Sequence, residues 1–255
     1  MERLRNGIGK ADTHIHTAVG DGMYGIPRLL EHVEEQTDLD VIAITDHDEF
    51  AGSYQARELV ERDHYRFDVV MGMEVTTLNG HLLALYLERP VASFQPLAQT
   101  IESIHAQDGI CVVPHPMSWL TRSIGQIAIE KVMAGQDERL YFDGIEVINP
   151  TIAGMVSYEK TRQLNERQFK LAETGGSDAH FLASVGSAYT TFVGHTAQDL
   201  RQSLVDKKTR AVKGHRVKFG HIGASQIIRQ SCRGLFVLPT RIVRRSLQEV
   251  WKSYH

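Results

Sequence analysis

Short apolar runs rich in β-branched residues recur along this chain, and stretches with helical spacing lie between them. The runs at 41–45 (VIAIT), 69–75 (VVMGMEV), 82–87 (LLALYL), 110–113 (ICVV), 144–148 (GIEVI) and 170–174 (KLAET) have the length and composition of buried strands. Residues 27–36, 52–62, 96–107 and 156–167 carry apolar side chains at helical intervals, and Pro27 suits the first turn of a helix. Strands alternating with helices build βα units, so the chain is constrained to a mainly parallel sheet or barrel. One connection breaks the rule. Only VTTLNG separates Glu74 from His81, whereas a parallel crossover needs about a dozen residues or more. Asn79-Gly80 is a hairpin signal, so the strand from His81 is expected to run antiparallel, starting at the end of the sheet where Glu74 finishes.

The strands deliver chemistry at one end. In Asp12-Thr-His14-Ile-His16 alternate residues of a strand share a face, so His14 and His16 project together as a pair able to hold one ion. Asp21 precedes a glycine shortly afterwards, Asp46-His47 ends VIAIT, and Glu74 closes the next run. His115 follows ICVVP, and a second alternating pair, Asp178 and His180, follows KLAETGGS. Barrels and open α/β sheets carry their active sites at the C-terminal ends of strands. A single buried histidine is as well explained by core packing, but this many at strand ends point to a metal site, since imidazole and carboxylate are its ligands.

Composition excludes some classes. Hydrophobic residues make up 42% and charged residues 23%, as in a water-soluble globular domain. No run approaches the ~18 apolar residues of a membrane span, and the first residues lack the apolar core of a secretory signal. Cys111 and Cys232 are too few and too far apart for a disulfide framework. A cytoplasmic protein is expected. Charge is uneven: from Lys213 onward nine basic residues face Glu249 alone, so this tail is +8 and residues 1–212 are −11. The expected division is a main domain over 1–212 and a basic C-terminal extension over 213–255, with helices at 225–233 and 240–252 packed on the body. A nucleic-acid or membrane-surface contact is the other use for such a tail.

With DTHIHT (12–17), DG (21–22), TDHD (45–48), GMEV (72–75), HLLAL (81–85), PHP (114–116), GIEVIN (144–149) and GSDAH (176–180) in this order, the chain resembles the PHP family of polymerase and histidinol phosphatase domains over about residues 10–195. The resemblance implies an α/β fold, a distorted (β/α)7 barrel similar to the TIM barrel, around two to three divalent ions such as zinc, manganese or iron. It implies that His14, His16, Glu74 and Asp178 hold one ion and that Glu74 bridges to a second held by His81 and His115. Asp21, His47 and His180 would hold a third. Asp12 and Asp46 are expected to orient histidines, a service that metal-bound imidazoles need. Nucleoside bisphosphatases of the family carry a helical insertion after the HLLAL-like strand, for which the short stretch between His81 and His115 leaves no room. Neither is a polymerase module recognisable, so a stand-alone member is expected.

The activity so implied is hydrolysis of a phosphate monoester by a metal-bridging hydroxide, with Glu74, Asp178 and His180 at the reacting centre. Arg122 is the expected phosphate cation, its planar fork matched to two phosphate oxygens. Arg28 and Asn149 are further candidates for substrate contacts. The expected partner is a small phosphorylated substrate, and oligomeric state is left open. The alternative is a phosphodiesterase or exonuclease, with the basic tail on nucleic acid phosphates and Phe219, Phe236, Trp251 and Tyr254 as sparse stacking groups. A TatD-like nuclease also opens on DTHxH, but TDHD and GSDAH do not suit it. A non-catalytic metal protein is disfavoured by the full ligand set.

Overall fold

A nine-stranded sheet, in the order β7-β6-β5-β4-β3-β2-β1-β8-β9, curls into a nearly closed barrel. The strands are β1 (Ile8–Ile15), β2 (Val41–Ile44), β3 (Asp68–Thr77), β4 (Gly80–Leu85), β5 (Ile110–Val113), β6 (Gly144–Ile148), β7 (Ala172–Gly175), β8 (Ala188–Val193) and β9 (Arg210–Lys213). This computed structural model describes residues 7–135, 137–217 and 223–233. The expected helix at 240–252, the tail aromatics and most of the basic tail lie outside them.

Helices α1 (Ile26–Gln36), α2 (Ala51–Asp63), α3 (Leu97–His105), α4 (Gln126–Met133), α5 (Ile152–Met155), α6 (Tyr158–Leu164), α7 (Ala197–Val205) and α8 (Ala224–Cys232) lie along the chain between and after the strands. In α1 the buried positions are Ile26, Leu29, Leu30 and Val33, one helical stripe, and Pro27 sits in its first turn. These side chains pack with Ile15, Ile42, Ile44 and Val60 in one apolar cluster. No described helix is long and apolar enough to cross a membrane.

β1, β2 and β3 pair in parallel, as do β5, β6 and β7, but β4 runs antiparallel to both neighbours. The hairpin expected at Asn79-Gly80 is there: Thr77 pairs with Gly80 and Thr76 with His81. Gly80 has φ +131°, and a Cβ on it would stand 2.5 Å from the Ser123 carbonyl carbon, so only glycine fits this turn.

Two strands, β8 and β9, and three helices, α4, α5 and α7, were not expected from the sequence. β8 pairs antiparallel with the first half of β1, Ile8 to Ala11, and β9 extends the sheet to Lys213, one residue beyond the expected main domain. The second half of β1 takes a different neighbour, because His16 N–H donates to Ala179 O (3.0 Å) and Ala179 N–H to His14 O (3.4 Å). Between these levels a side chain completes the wall. The Thr190 hydroxyl of β8 accepts from Gly175 N–H (2.9 Å) and donates to Gly175 O (3.1 Å). The barrel therefore closes on β1 with its histidine-bearing end against residues 177–180.

Candidate metal centre

Strand alternation and the reversed β4 bring all nine expected ligands to one end of the barrel. Glu74, fully buried, is the hub. Its Oε1 lies 2.9 Å from His81 Nδ1 and 3.0 Å from His115 Nε2. Its Oε2 lies 3.2 Å from His14 Nε2, 3.3 Å from His16 Nε2 and 3.2 Å from His47 Nδ1. Backbone pairing sets this up, since Glu74 N–H donates to Asp46 O (3.2 Å) and Asp48 N–H to Glu74 O (3.0 Å), which fixes His47 beside the hub. Asp178 Oδ1 stands 3.2 Å from His16 Nε2, and Asp21 Oδ2 stands 3.2 Å from His180 Nε2.

The side chains group as His14–Glu74–His115, His47–Glu74–His81, His14–His16–Asp178 and His16–Asp21–His47–His180, each set with donor atoms close enough to share an ion. This partition differs from the expected one in three ways, the first being that His81 and His115 fall in separate sets. His16 joins the Asp21 set as well as the Asp178 set, and His47 stands with His81 across Glu74. His16 stacks on His180 at 4.3 Å and lies tilted against His47 at 4.7 Å, centroid to centroid.

The partners of the histidine rings suit a bound cation. His14 Nδ1 faces Glu146 Oε1 (3.0 Å), and His180 Nδ1 faces the Asp178 carbonyl (2.9 Å). The Ser123 hydroxyl donates to His115 O (2.8 Å), so its oxygen accepts from His115 Nδ1 (3.0 Å). Each of these rings thus has a hydrogen-bond acceptor at Nδ1 and turns its Nε2 toward a carboxylate. Two acceptors at such distances require a second proton or a metal ion between them. His16 Nδ1 and Nε2, His81 Nδ1 and Asp21 Oδ1 are buried without a hydrogen bond, and such orphans call for a partner.

The charges conflict in the same sense. Burial lowers the affinity of His16 for a proton, but the close carboxylates of Asp178 and Glu74, 3.2 and 3.3 Å from its Nε2, outweigh it and push its pKa up to about 10. For His47 burial wins over the Glu74 charge, and its pKa falls to about 4. Despite burial, the surrounding histidines hold Glu74 and Asp178 well below the carboxylate range. Identical rings are driven in opposite directions because the pocket cannot charge them all.

Backbone strain marks the same place. His115 and Asp178 adopt left-handed conformations, with φ of 28° and 50°, a cost that functional sites tolerate.

Solved structures share this architecture. A two-domain protein from Bacteroides vulgatus, containing a predicted PHP-like metal-dependent phosphoesterase, matches with a TM-score of 0.65 at 19% identity, over 82% of this chain and 66% of that one. The lesion-specific endonuclease PfuEndoQ from Pyrococcus furiosus matches with a TM-score of 0.54 at 12% identity, over 78% of this chain and 56% of that one. In sequence, the uncharacterized protein MJ1587 of Methanocaldococcus jannaschii is 30% identical over 150 residues, which span 55% of this chain and 81% of that protein. A family model described as PHP-associated matches residues 165–209, the segment that carries Asp178 and His180. The chain belongs to the PHP family.

Around this PHP centre, some supporting roles differ from expectation. Among the described residues, Asp12 and Asp46 touch no histidine ring by hydrogen bond; they hold backbone. Asp12 accepts from Ser177 N–H (2.9 Å) and Gly186 N–H (2.8 Å), and Asp46 from Thr17 N–H (2.5 Å) and the Thr17 hydroxyl (2.6 Å). Asp12 lies one alternation deeper in β1 than His14, so its carboxylate meets the loops that enter from β7 and β8. Burial pushes both carboxyls up to about 6.

Ring orientation falls instead to Glu146, which the sequence reading left out. It binds His14 Nδ1 through Oε1, while Oε2 accepts from His115 N–H (2.7 Å) and Asn149 Nδ2 (2.9 Å). Gly176 makes room for it, since a Cβ there would lie 2.5 Å from Glu146 Oε1. The signal was a lone carboxylate inside the buried strand GIEVI. Glu146→Ala is expected to weaken ion binding about 10–100-fold, the usual effect of losing a ligand's hydrogen-bond partner. A chelator-competition titration matching wild type would remove that role.

Of the three expected substrate contacts, Asn149 is committed to the centre. Its amide donates to Glu146 and to Asp178 Oδ2 (3.2 Å), while its carbonyl accepts from Thr151. Arg122 is exposed on the loop after β5, its carbonyl receiving His81 N–H (2.8 Å). Arg28 is paired with Glu31 (3.2 Å) on the solvent side of α1 and is not drawn into the cluster.

Proposed function

We propose that this chain hydrolyses a phosphate monoester at the end of the barrel where Glu74 gathers five histidines. The observation that carries the choice is the depth of the cluster. The most accessible ligand side chains, His47 and His180, are 16% exposed, and Asp178 is 12% exposed. A terminal phosphoryl group can enter such a recess at the tip of a small molecule, whereas an internal diester of a polymer needs an open groove.

The ligand set His14, His16, Asp21, His47, Glu74, His81, His115, Asp178 and His180 suits two to three divalent ions. Such ions would lower the pKa of a water molecule and draw charge off the phosphoryl oxygens. The chain's own part is orientation. Glu146 and Ser123 fix the proton of His14 and His115 on Nδ1, leaving Nε2 to bind. Asp178 and His180, among the most accessible ligands, would meet the entering phosphoryl group first, and Arg122 would supply the fixed positive charge for the phosphate.

A second reading, phosphodiester or nucleotide cleavage, is favoured by Trp119. It is 79% exposed on the same loop as Arg122, an arrangement suited to stacking a base beside its phosphate. PfuEndoQ, with a similar fold, is an endonuclease. The deciding experiment reconstitutes the chain separately with zinc, manganese and iron, then assays p-nitrophenyl phosphate, bis-p-nitrophenyl phosphate and a labelled oligonucleotide. Turnover of the monoester alone is expected. Cleavage only of the diesters would replace the first reading by the second, and no turnover with any ion would remove both.

A further inference from the structure

We propose that α8, from the C-terminal extension, is a working part of the metal centre: Gln230 and Arg233 hold the Asp21 loop where Asp21 can reach an ion. This rests on the metal-site reading above. Gln230 and Arg233 are three residues apart and therefore neighbours on the helix surface. Arg233 Nη2 donates to both Ala18 O (2.9 Å) and Gly20 O (3.0 Å). Gln230 Nε2 donates to Asp21 Oδ2 (3.4 Å), the oxygen that also faces His180. Among the described residues, the side-chain hydrogen bonds of α8 to the body all go to residues 18–21.

The loop is gripped from two sides. From the barrel, Ala18 N–H donates to Tyr24 O (2.7 Å), Gly22 N–H to Thr17 O (2.8 Å) and Met23 N–H to His180 O (2.9 Å). These bonds use the amides and leave the carbonyls of Ala18 and Gly20 to Arg233. With Gly20 and Gly22 flanking Asp21, the free loop has much conformational freedom to lose. Asp21 emerges with Oδ2 tethered and Oδ1 without a hydrogen bond, 3.8 Å from His16 Nδ1. A carboxylate with one oxygen held and the other offered is an oriented ligand. Gln230 and Arg233 are positioning residues for the ion shared by His16, Asp21, His47 and His180.

The test uses the full chain loaded with Mn²⁺ or Zn²⁺, counting ions by elemental analysis after dialysis and measuring affinities by competition with a chromophoric chelator. Arg233→Ala and Gln230→Ala are each expected to weaken one ion about 10–100-fold and leave the others at wild-type affinity. Asp21→Asn should weaken the same ion, and adding Arg233→Ala to it should have little further effect, since coupled residues are not additive. A helix that merely stabilised the fold would not give that selectivity. If Arg233→Ala lowers the melting midpoint, Gln230→Ala decides, because it leaves both carbonyl bonds in place. Unchanged affinities in both variants, or equal weakening of every ion, would overturn the proposal. A wild-type chain that holds no ion would bring down the metal-site reading itself.

Discussion

Glu74→Gln is expected to strip the centre of its ions while leaving its shape intact. The substitution keeps the side-chain volume in a fully buried position, so the core loses little packing. It removes the one charge that faces His14, His16, His47, His81 and His115 together. Outer partners of metal ligands already cost about 10–100-fold in affinity or activity, so loss of the shared ligand should cost at least about 10²-fold in both. Without ions the variant should also melt lower than wild type treated with chelator, because a buried charged network deprived of one partner is destabilised by about 3–5 kcal/mol. Wild-type metal content in the purified Gln variant would show that Glu74 is not the bridge.

The second large effect is on pH. His16 is held up to about 10 from an ordinary 6.5, so in the ion-free chain it is protonated at neutrality, and an ion must expel that proton. Ion affinity should therefore fall about tenfold for each pH unit of acidification per proton displaced. His47, down at about 4, is already neutral and adds no proton to the exchange. The fold responds with the opposite sign. A histidine raised from 6.5 to about 10 contributes stability that is complete below pH 6.5 and is lost as pH rises through 10. Between these limits the ion-free protein weakens while ion binding strengthens. Below pH 6.5 His47 acts the other way, since its neutral form is the folded one. Melting curves with and without chelator should show a gap that widens from pH 6.5 to 8.5, and a gap that narrows would contradict the assigned proton.

Much of the centre was legible because it depends on short-range rules. Strand alternation puts His14 beside His16, and a connection too short for a crossover reverses β4 and brings His81 to Glu74. Partners fixed by distant segments were not legible. Glu146 meets His14 from 132 positions away, and Asp12 reaches Ser177 across 165. Which histidines stand close enough to share an ion depends on how the rings pack together, and no spacing encodes that. β8 was missed although its AYTTFV alternates, because alternation shows a half-buried strand without saying which neighbour it finds. It found the lower half of β1, since the upper half had been claimed by Ala179.

The grip of α8 on the Asp21 loop joins residues 209 to 215 positions apart. Closing so long a loop adds only modestly to its entropic penalty, but contacts of such separation form slowly. During synthesis the N-terminal part of the chain folds first. His14, His16, His47 and Glu74 all leave the ribosome within the first 74 residues, long before Asp178, His180 or Arg233 exist. The candidate ligand set is therefore complete, and the Asp21 loop gripped from both sides, only after the last of these residues has emerged.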